Sequence, residues 1–205
     1  MENKKLPKIL APCGDMDALK AAIANGADAI YLGLDLFNAR IRAKNFTLDN
    51  IEEAIRLAHA NSVFVYVTLN IGIYDKEIES VLDYVDKIYL AGADALIVSD
   101  LGIASLIKKY YPDFEIHGST QCTAHNLDGV TFLNEKMGAS QVVLARELPK
   151  KEIEYITKNT DAKIEIFVHG AHCMSVSGQC LMSYAMGGRS GNRGECAQPC
   201  RLQYK

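Results

Sequence analysis

Three junctions of this chain read alike: ANGADAIYLG, LAGADALIVSD and KMGASQVVLAR. Each closes an amphipathic stretch on a glycine (Gly26, Gly92, Gly138) and then runs directly into an apolar segment. Glycine enters the left-handed backbone region without a Cβ penalty, so it stops a helix cheaply. A chain that repeatedly leaves a helix and starts a buried strand is assembling βα units. The unequal spacing of the glycines excludes a solenoid of identical repeats.

Strands are expected at Lys8–Ala11, Ala29–Gly33, Val63–Asn70, Ala95–Ser99, Glu115–Gly118, Gln141–Ala145 and Lys163–His169. Most read as continuous apolar runs (AIYLG, FVYVTL, ALIVS, QVVLA, IEIFV), the pattern of strands covered on both faces. Helices are expected near Met16–Asn25, Leu48–Ala60, Lys76–Ala91, Gly102–Tyr111, Leu127–Met137 and Pro149–Asn159. Asp15, Thr47, Asp100 and Asn126 are placed to cap first turns, and Pro149 to open one.

Such alternation builds either an open doubly wound sheet or a (β/α)8 barrel. The turn Ala11-Pro12-Cys13-Gly14-Asp15 does not carry the glycine fingerprint of a dinucleotide-binding sheet. Polar residues instead recur where strands end: Asn70, Ser99, Asp100, Ser119 to Gln121, Arg146, Glu147 and His169. Barrels build their sites at that end, which favours the barrel. Seven strands in 205 residues fall short of the eight strands and about 250 residues of a typical barrel. The expectation is therefore an α/β TIM-barrel-like fragment with the barrel not closed. Residues 1–170 form its body, and residues 171–205 form a cysteine-rich segment that continues into further chain.

Those last residues carry Cys173, Cys180, Cys196 and Cys200, spaced C-x6-C-x15-C-x3-C. The N-terminus has no long apolar core of a signal peptide, and the longest apolar run, near Val63–Leu69, is too short to span a bilayer. This predicts a cytoplasmic protein that does not engage a membrane. Thiols stay reduced there, so metal ligation is the better use of clustered cysteines. Cys196 and Cys200 fit one zinc knuckle, whereas Cys173 and Cys180 lie too far apart for a second. An iron–sulfur cluster needs only that four thiolates converge. Spacing alone leaves iron–sulfur ahead of zinc, with both open. Cys13 and Cys122 read as small buried residues, with Cys13 held as a spare ligand should Cys200 not serve.

Other residues suit roles around such a centre. Glu147 is a candidate general base, or a partner of Arg146. His169 is a candidate acid or base beside the cysteines, as is His172. Arg40 and Arg42 lie in the long loop after the second strand, where cations suit a carboxylate or phosphate. Asn70, Gln121 and Arg146 line the expected mouth. Arg189 and Arg193 give the C-terminal segment a local basic bias within a net charge of −3, which does not by itself announce a nucleic-acid binder. There is no G-x-S-x-G elbow, H-E-x-x-H helix or Walker loop.

Longer motifs carry a resemblance. Glu165-Ile166-Phe167-Val168-His169-Gly170-Ala171-His172-Cys173, Ser177-Gly178-Gln179-Cys180-Leu181-Met182-Ser183 and Asn192-Arg193-Gly194-Glu195-Cys196-Ala197-Gln198-Pro199-Cys200-Arg201 closely resemble the signature of the U-thirty-two peptidase family, the collagenase-like proteases. Gly26-Ala27-Asp28-Ala29-Ile30-Tyr31-Leu32-Gly33 and Val143-Leu144-Ala145-Arg146-Glu147 extend it over nearly the whole chain. The resemblance implies a (β/α) barrel followed by more chain. It implies two competing activities: proteolysis, or oxygen-independent hydroxylation, by a four-iron four-sulfur (4Fe-4S) enzyme, of a pyrimidine in tRNA or rRNA or of a quinone precursor, with prephenate as co-substrate in the RNA-modifying members. Matched by position, Cys173, Cys180 and Cys196 are the family's cluster cysteines, and Cys200 is the fourth candidate. The expected partner is RNA, or a peptide if the activity is proteolytic. A third reading is a zinc-stabilised RNA-binding scaffold without catalysis.

Overall fold

A computed structural model describes residues 6–204. Seven strands form one all-parallel sheet in sequence order: β1 (Leu10–Cys13), β2 (Ala29–Leu32), β3 (Phe64–Leu69), β4 (Ala95–Val98), β5 (Glu115–Gly118), β6 (Ala139–Val143) and β7 (Lys163–Glu165). Between them run α1 (Met16–Ala24), α2 (Ile51–Ala60), α3 (Ile78–Leu90), α4 (Leu101–Tyr110), α5 (Leu127–Glu135) and α6 (Lys150–Lys158), and α7 (Met182–Gly187) follows β7. Strand order equal to chain order is the winding of a (β/α) barrel. A doubly wound sheet would reverse order at a switch point. Among the described residues β1 and β7 do not pair, so the barrel is an open half-shell.

The alternation of side chains along each strand fixes what each face meets. Val65, Val67 and Leu69 of β3, Ile30 and Leu32 of β2, and Leu96 and Val98 of β4 are buried against the helices in one core. That core also holds Leu19, Ile55, Val81, Ile88, Ile107 and Ile156 from the helices. The intervening residues, including Tyr31, Tyr66, Ile97 and His117, face the barrel interior.

Helix starts follow the expected chemistry with two exceptions, at Thr47 and at Pro149, which stands one residue before the first helical position expected for it. Asp15, Asp100 and Asn126 accept hydrogen bonds from Ala18 N–H (2.9 Å), Ile103 N–H (3.0 Å) and Gly129 N–H (2.8 Å). Thr47 does not cap α2. The helix begins at Ile51 with Asn50 before it, and the Asn50 side chain turns back to accept from Thr47 N–H (2.8 Å). Pro149 precedes α6 as its cap residue. Gly26, Gly92 and Gly138 all stand at positive φ (80°, 89°, 74°), the conformation their repeated context demands. β1 starts two residues later than expected. β7 stops at Glu165, so residues 166–169 leave the sheet and begin the crossing of the mouth.

Candidate functional site

After β7 the chain folds back over the C-terminal ends of the strands and is fastened at two sides. On the β5–β6 side the fastener is Ser177, which is fully buried. Its N–H donates to Glu147 Oε1 (2.8 Å) and its hydroxyl to Glu147 Oε2 (2.8 Å). Arg146 Nε donates to the same hydroxyl (3.1 Å), Thr123 Oγ1 donates to the Ser177 carbonyl (2.8 Å), and Gln179 Nε2 donates to Thr123 Oγ1 (2.8 Å). Gly178 has φ +74° and presses on the Gln121 carbonyl so closely that a Cβ would clash. Cys180 follows directly.

On the β2–β3 side the fastener is Arg193. Its guanidinium makes a two-point ion pair with Glu77 (2.7 and 3.0 Å), donates to the Gly72 carbonyl (2.5 Å) and lies 4.3 Å from the Tyr74 ring centroid. Gly72 N–H donates to the Asn192 carbonyl (3.2 Å). Gly194, at φ +80°, abuts the Asn38 carbonyl where no side chain fits. Cys196 lies two residues on. The segment therefore spans the mouth from β6 to β2, pinned at both ends.

Around the pins the cysteine-bearing pieces draw near one another. A Cβ placed on Gly191 would lie 3.7 Å from Cys196 Cβ and 3.9 Å from the Cys180 carbonyl. Arg201 donates to the His172 carbonyl (2.7 Å), joining the Cys200 turn to the chain beside Cys173. Ala197 N–H donates to Ser183 Oγ (2.9 Å), docking that turn on α7. All four thiols are free, Cys173 and Cys180 half-buried, Cys196 and Cys200 exposed. In number and kind this donor set fits a four-thiolate cluster. The sulfurs themselves stand apart, since among the described residues no three His, Cys, Asp or Glu side chains are gathered as a metal-binding group. Cys13 is no spare ligand: it is 4% exposed inside the core, and burial, with Asp15 nearby, pushes its thiol up to about 11. Burial does the same to Cys122, also to about 11.

Several expected roles change. Glu147 is not a poised general base and does not pair with Arg146. Burial pushes its carboxyl up, but the Ser177 N–H and hydroxyl, with His125 (2.9 Å), outweigh that and hold it at about 2. It is an anchor. Arg193 is committed to Glu77 rather than turned toward a substrate. Arg189 Nε donates to the Glu195 carbonyl (3.1 Å). Asn70 bridges the mouth instead of facing it, accepting from Ala39 N–H (2.9 Å) and donating weakly to Ser119 Oγ (3.4 Å). Arg40 and Arg42 are exposed, with the Arg40 guanidinium beside the Tyr31 phenol. His169 is exposed beyond the end of β7. Gln121 lines a cleft of about 390 Å³ with Gly72, Ser99, Asp100, Leu101, Gly102, Gly178 and Asn192, between the strand ends and the cysteine segment.

The sequence reading passed over four residues of the inner wall below this mouth, Tyr31, Tyr66, Gln141 and Glu165, which His117 of β5 joins. Their signal was a period of two hidden inside runs that look uniformly apolar: the tyrosine of AIYLG, that of FVYVTL, the first residue of QVVLA and the second of IEIFV.

The profile of peptidase family U32 matches residues 14–205. The chain is 44% identical over 197 residues (96% of this chain, 29% of the relative) to a 23S rRNA 5-hydroxycytidine synthase of Escherichia coli (strain K12). It is 38% identical over 200 residues (98% of this chain, 47% of the relative) to tRNA hydroxylation protein P1 of Bacillus subtilis (strain 168). It thus spans half or less of the length of these relatives. Among solved structures a U32 peptidase superposes with a TM-score of 0.66 at 13% identity, over 81% of this chain and 70% of that one, a likeness of fold. With matching motifs, a matching half-barrel and a profile covering almost every residue, the chain belongs to peptidase family U32.

Proposed function

We propose that this chain works in an enzyme that hydroxylates a pyrimidine of tRNA or rRNA without molecular oxygen. One observation carries the reading: over nearly its whole length the chain is 44% and 38% identical to proteins named for rRNA and tRNA hydroxylation. Cys173, Cys180, Cys196 and Cys200 would hold a four-iron four-sulfur cluster at the mouth. Such a cluster, when bound, supplies one-electron transfer. Ser177–Glu147 and Arg193–Glu77 hold the cysteine segment across the strand ends, and Arg40, Arg42 and Arg201 are exposed cations for RNA phosphates. Replacing a ring C–H by C–OH takes two electrons from the base and brings in one oxygen; a donor that gives up a hydroxyl and leaves with hydrogen in its place would supply the oxygen and accept both electrons, and prephenate is the co-substrate the family resemblance offers for that part.

Proteolysis is the second reading, favoured by the family's name. The residues around the pinned segment argue against it. Ser177, Glu147 and His125 form a chain in which the carboxylate sits between hydroxyl and imidazole. In a serine hydrolase the imidazole must lie between the other two to take the hydroxyl proton. Ser177 is also fully buried.

The test is an anaerobic incubation of unmodified tRNA and rRNA with the iron-loaded protein, reductant and prephenate, followed by nucleoside mass spectrometry. The expected result is a pyrimidine nucleoside one oxygen heavier, absent with Cys180→Ser. Gelatin or peptide cleavage that survives mutation of all four cysteines, with no oxidised nucleoside, would establish the peptidase instead.

A further inference from the structure

The inside of a (β/α) barrel is ordinarily filled by Val, Ile and Leu in layers. Here much of that space holds groups that are costly to bury. Tyr31 of β2 and Tyr66 of β3 are register partners on the inner face. Tyr66 meets His117 of β5 edge to face, ring centroids 4.5 Å apart, across β4, which offers only Ala95 beside Tyr66. His117 is 1% exposed; its Nε2 lies 3.3 Å from Glu115 Oε2, while its Nδ1 has no hydrogen-bond partner. On the next strands Gln141 Nε2 donates to Glu165 Oε2 (2.7 Å). An unpaired buried ring nitrogen forfeits about 1–3 kcal/mol, and nothing in the packing of the helices on the outer face requires polar groups here.

The wall has a definite character. Two phenol rings give flat apolar faces. A carboxyl and an amide stand side by side as a hydrogen-bonding edge, with an imidazole opposite. Burial raises the Glu165 carboxyl toward its neutral form, partly offset by the Gln141 amide, and lowers His117 toward neutral imidazole, partly offset by Glu115. Cations are few: Arg40 lies beside Tyr31, and Lys163, largely exposed, is 3.9 Å from Glu115. Two carboxyls facing the space disfavour an anionic occupant. A neutral planar ring with donors and acceptors on its edge suits it, and nucleic-acid enzymes reach such a ring by turning the nucleotide out of its stack.

We propose that the inner wall is the receiving chamber for a nucleobase turned out of its strand, stacked against Tyr31 and Tyr66 and read along its edge by Gln141 and Glu165. This rests on the RNA reading above and adds where the base goes. It assigns binding to four residues that lie below the cysteine segment and outside the loops that carry the exposed arginines.

The test uses the full chain with a short single-stranded RNA carrying one 4-thiouridine. Binding is followed by fluorescence anisotropy, and the photo-crosslinked peptide is mapped by mass spectrometry. The expected crosslinks fall on the β3 or β5 peptides that contain Tyr66 and His117. Gln141→Leu is expected to cut their yield on the order of tenfold, the loss of base-edge contacts, while overall RNA affinity changes less than about twofold, because phosphate contacts dominate it. Tyr66→Phe keeps the aromatic face and is expected to retain the crosslink, which separates loss of contact from loss of fold. RNA that binds but crosslinks only to loop peptides such as those of Arg40 or Gln121 would overturn the chamber while leaving the RNA reading intact. Absence of any RNA binding would overturn both.

Discussion

Glu147, four residues past the end of β6, is held by Ser177 and His125. A carboxylate at a strand end near the mouth invites the reading of a general base, but a base must be free to accept a proton near working pH. Three donors converge on this one, and the group stays ionised far into acid. The linkage has a definite sign. The folded-state value lies below the usual 4.5, so the stability this group contributes is full above about 4.5 and is lost as pH falls toward 2. We predict that Glu147→Gln costs about 1–2 kcal/mol at pH 7, discounted for its partial exposure. The gap to the unsubstituted protein should narrow steadily in urea titrations at pH 4 and pH 3. A gap that stays constant over that range would remove the anchor role. Neighbouring residues explain why none of this was legible beforehand. Ser177 lies thirty residues away in sequence, and the only hint of their contact was that both belong to family-like motifs.

Among the elements, regularity was legible where local chemistry sets it. The glycine stops at Gly26, Gly92 and Gly138 and the caps at Asp15, Asp100 and Asn126 depend on residues within a turn of each other, and all six behave as expected. The displaced start of α2 and the early end of β7 depend on distant packing. Phe46 is buried against the sheet through a bridge of its backbone with Leu34, and the chain after Glu165 is drawn off by the clamp at Ser177. The inner wall was missed because a tyrosine in an aliphatic run satisfies the same pattern as a leucine. The Arg193 clamp is the element-scale feature with the clearest test. Arginine reaches Glu77 with two nitrogens, which lysine cannot do. Arg193→Lys and Glu77→Gln should each destabilise by about 1–2 kcal/mol. Together they should cost less than the sum, giving a coupling of about 1 kcal/mol in a double-mutant cycle. If Arg193 were instead a substrate contact, its substitution would lower the salt dependence of RNA binding and show no coupling to Glu77.

Taken whole, the molecule is a half-barrel whose mouth is crossed by one strap. The strap is fastened at β5–β6 by a buried serine and at β2–β3 by an arginine, and the four free cysteines belong to it. Beneath it lies a polar inner wall where barrels hold aliphatic layers. Cys180 lies between the two fasteners, Cys173 four residues before Ser177, and Cys196 and Cys200 three and seven residues after Arg193, so each is on a short tether to a fixed point, which reduces the entropy a cluster must overcome in gathering its ligands. Metal and sulfide analysis of anaerobically purified protein from iron-replete cells would show whether this strap holds the proposed cluster. A protein that holds it should be brown, with close to four iron and four sulfide per chain, falling sharply with Cys180→Ser or Cys196→Ser and unchanged by Cys13→Ala. A colourless protein containing zinc, or no metal, under those conditions would contradict the proposal.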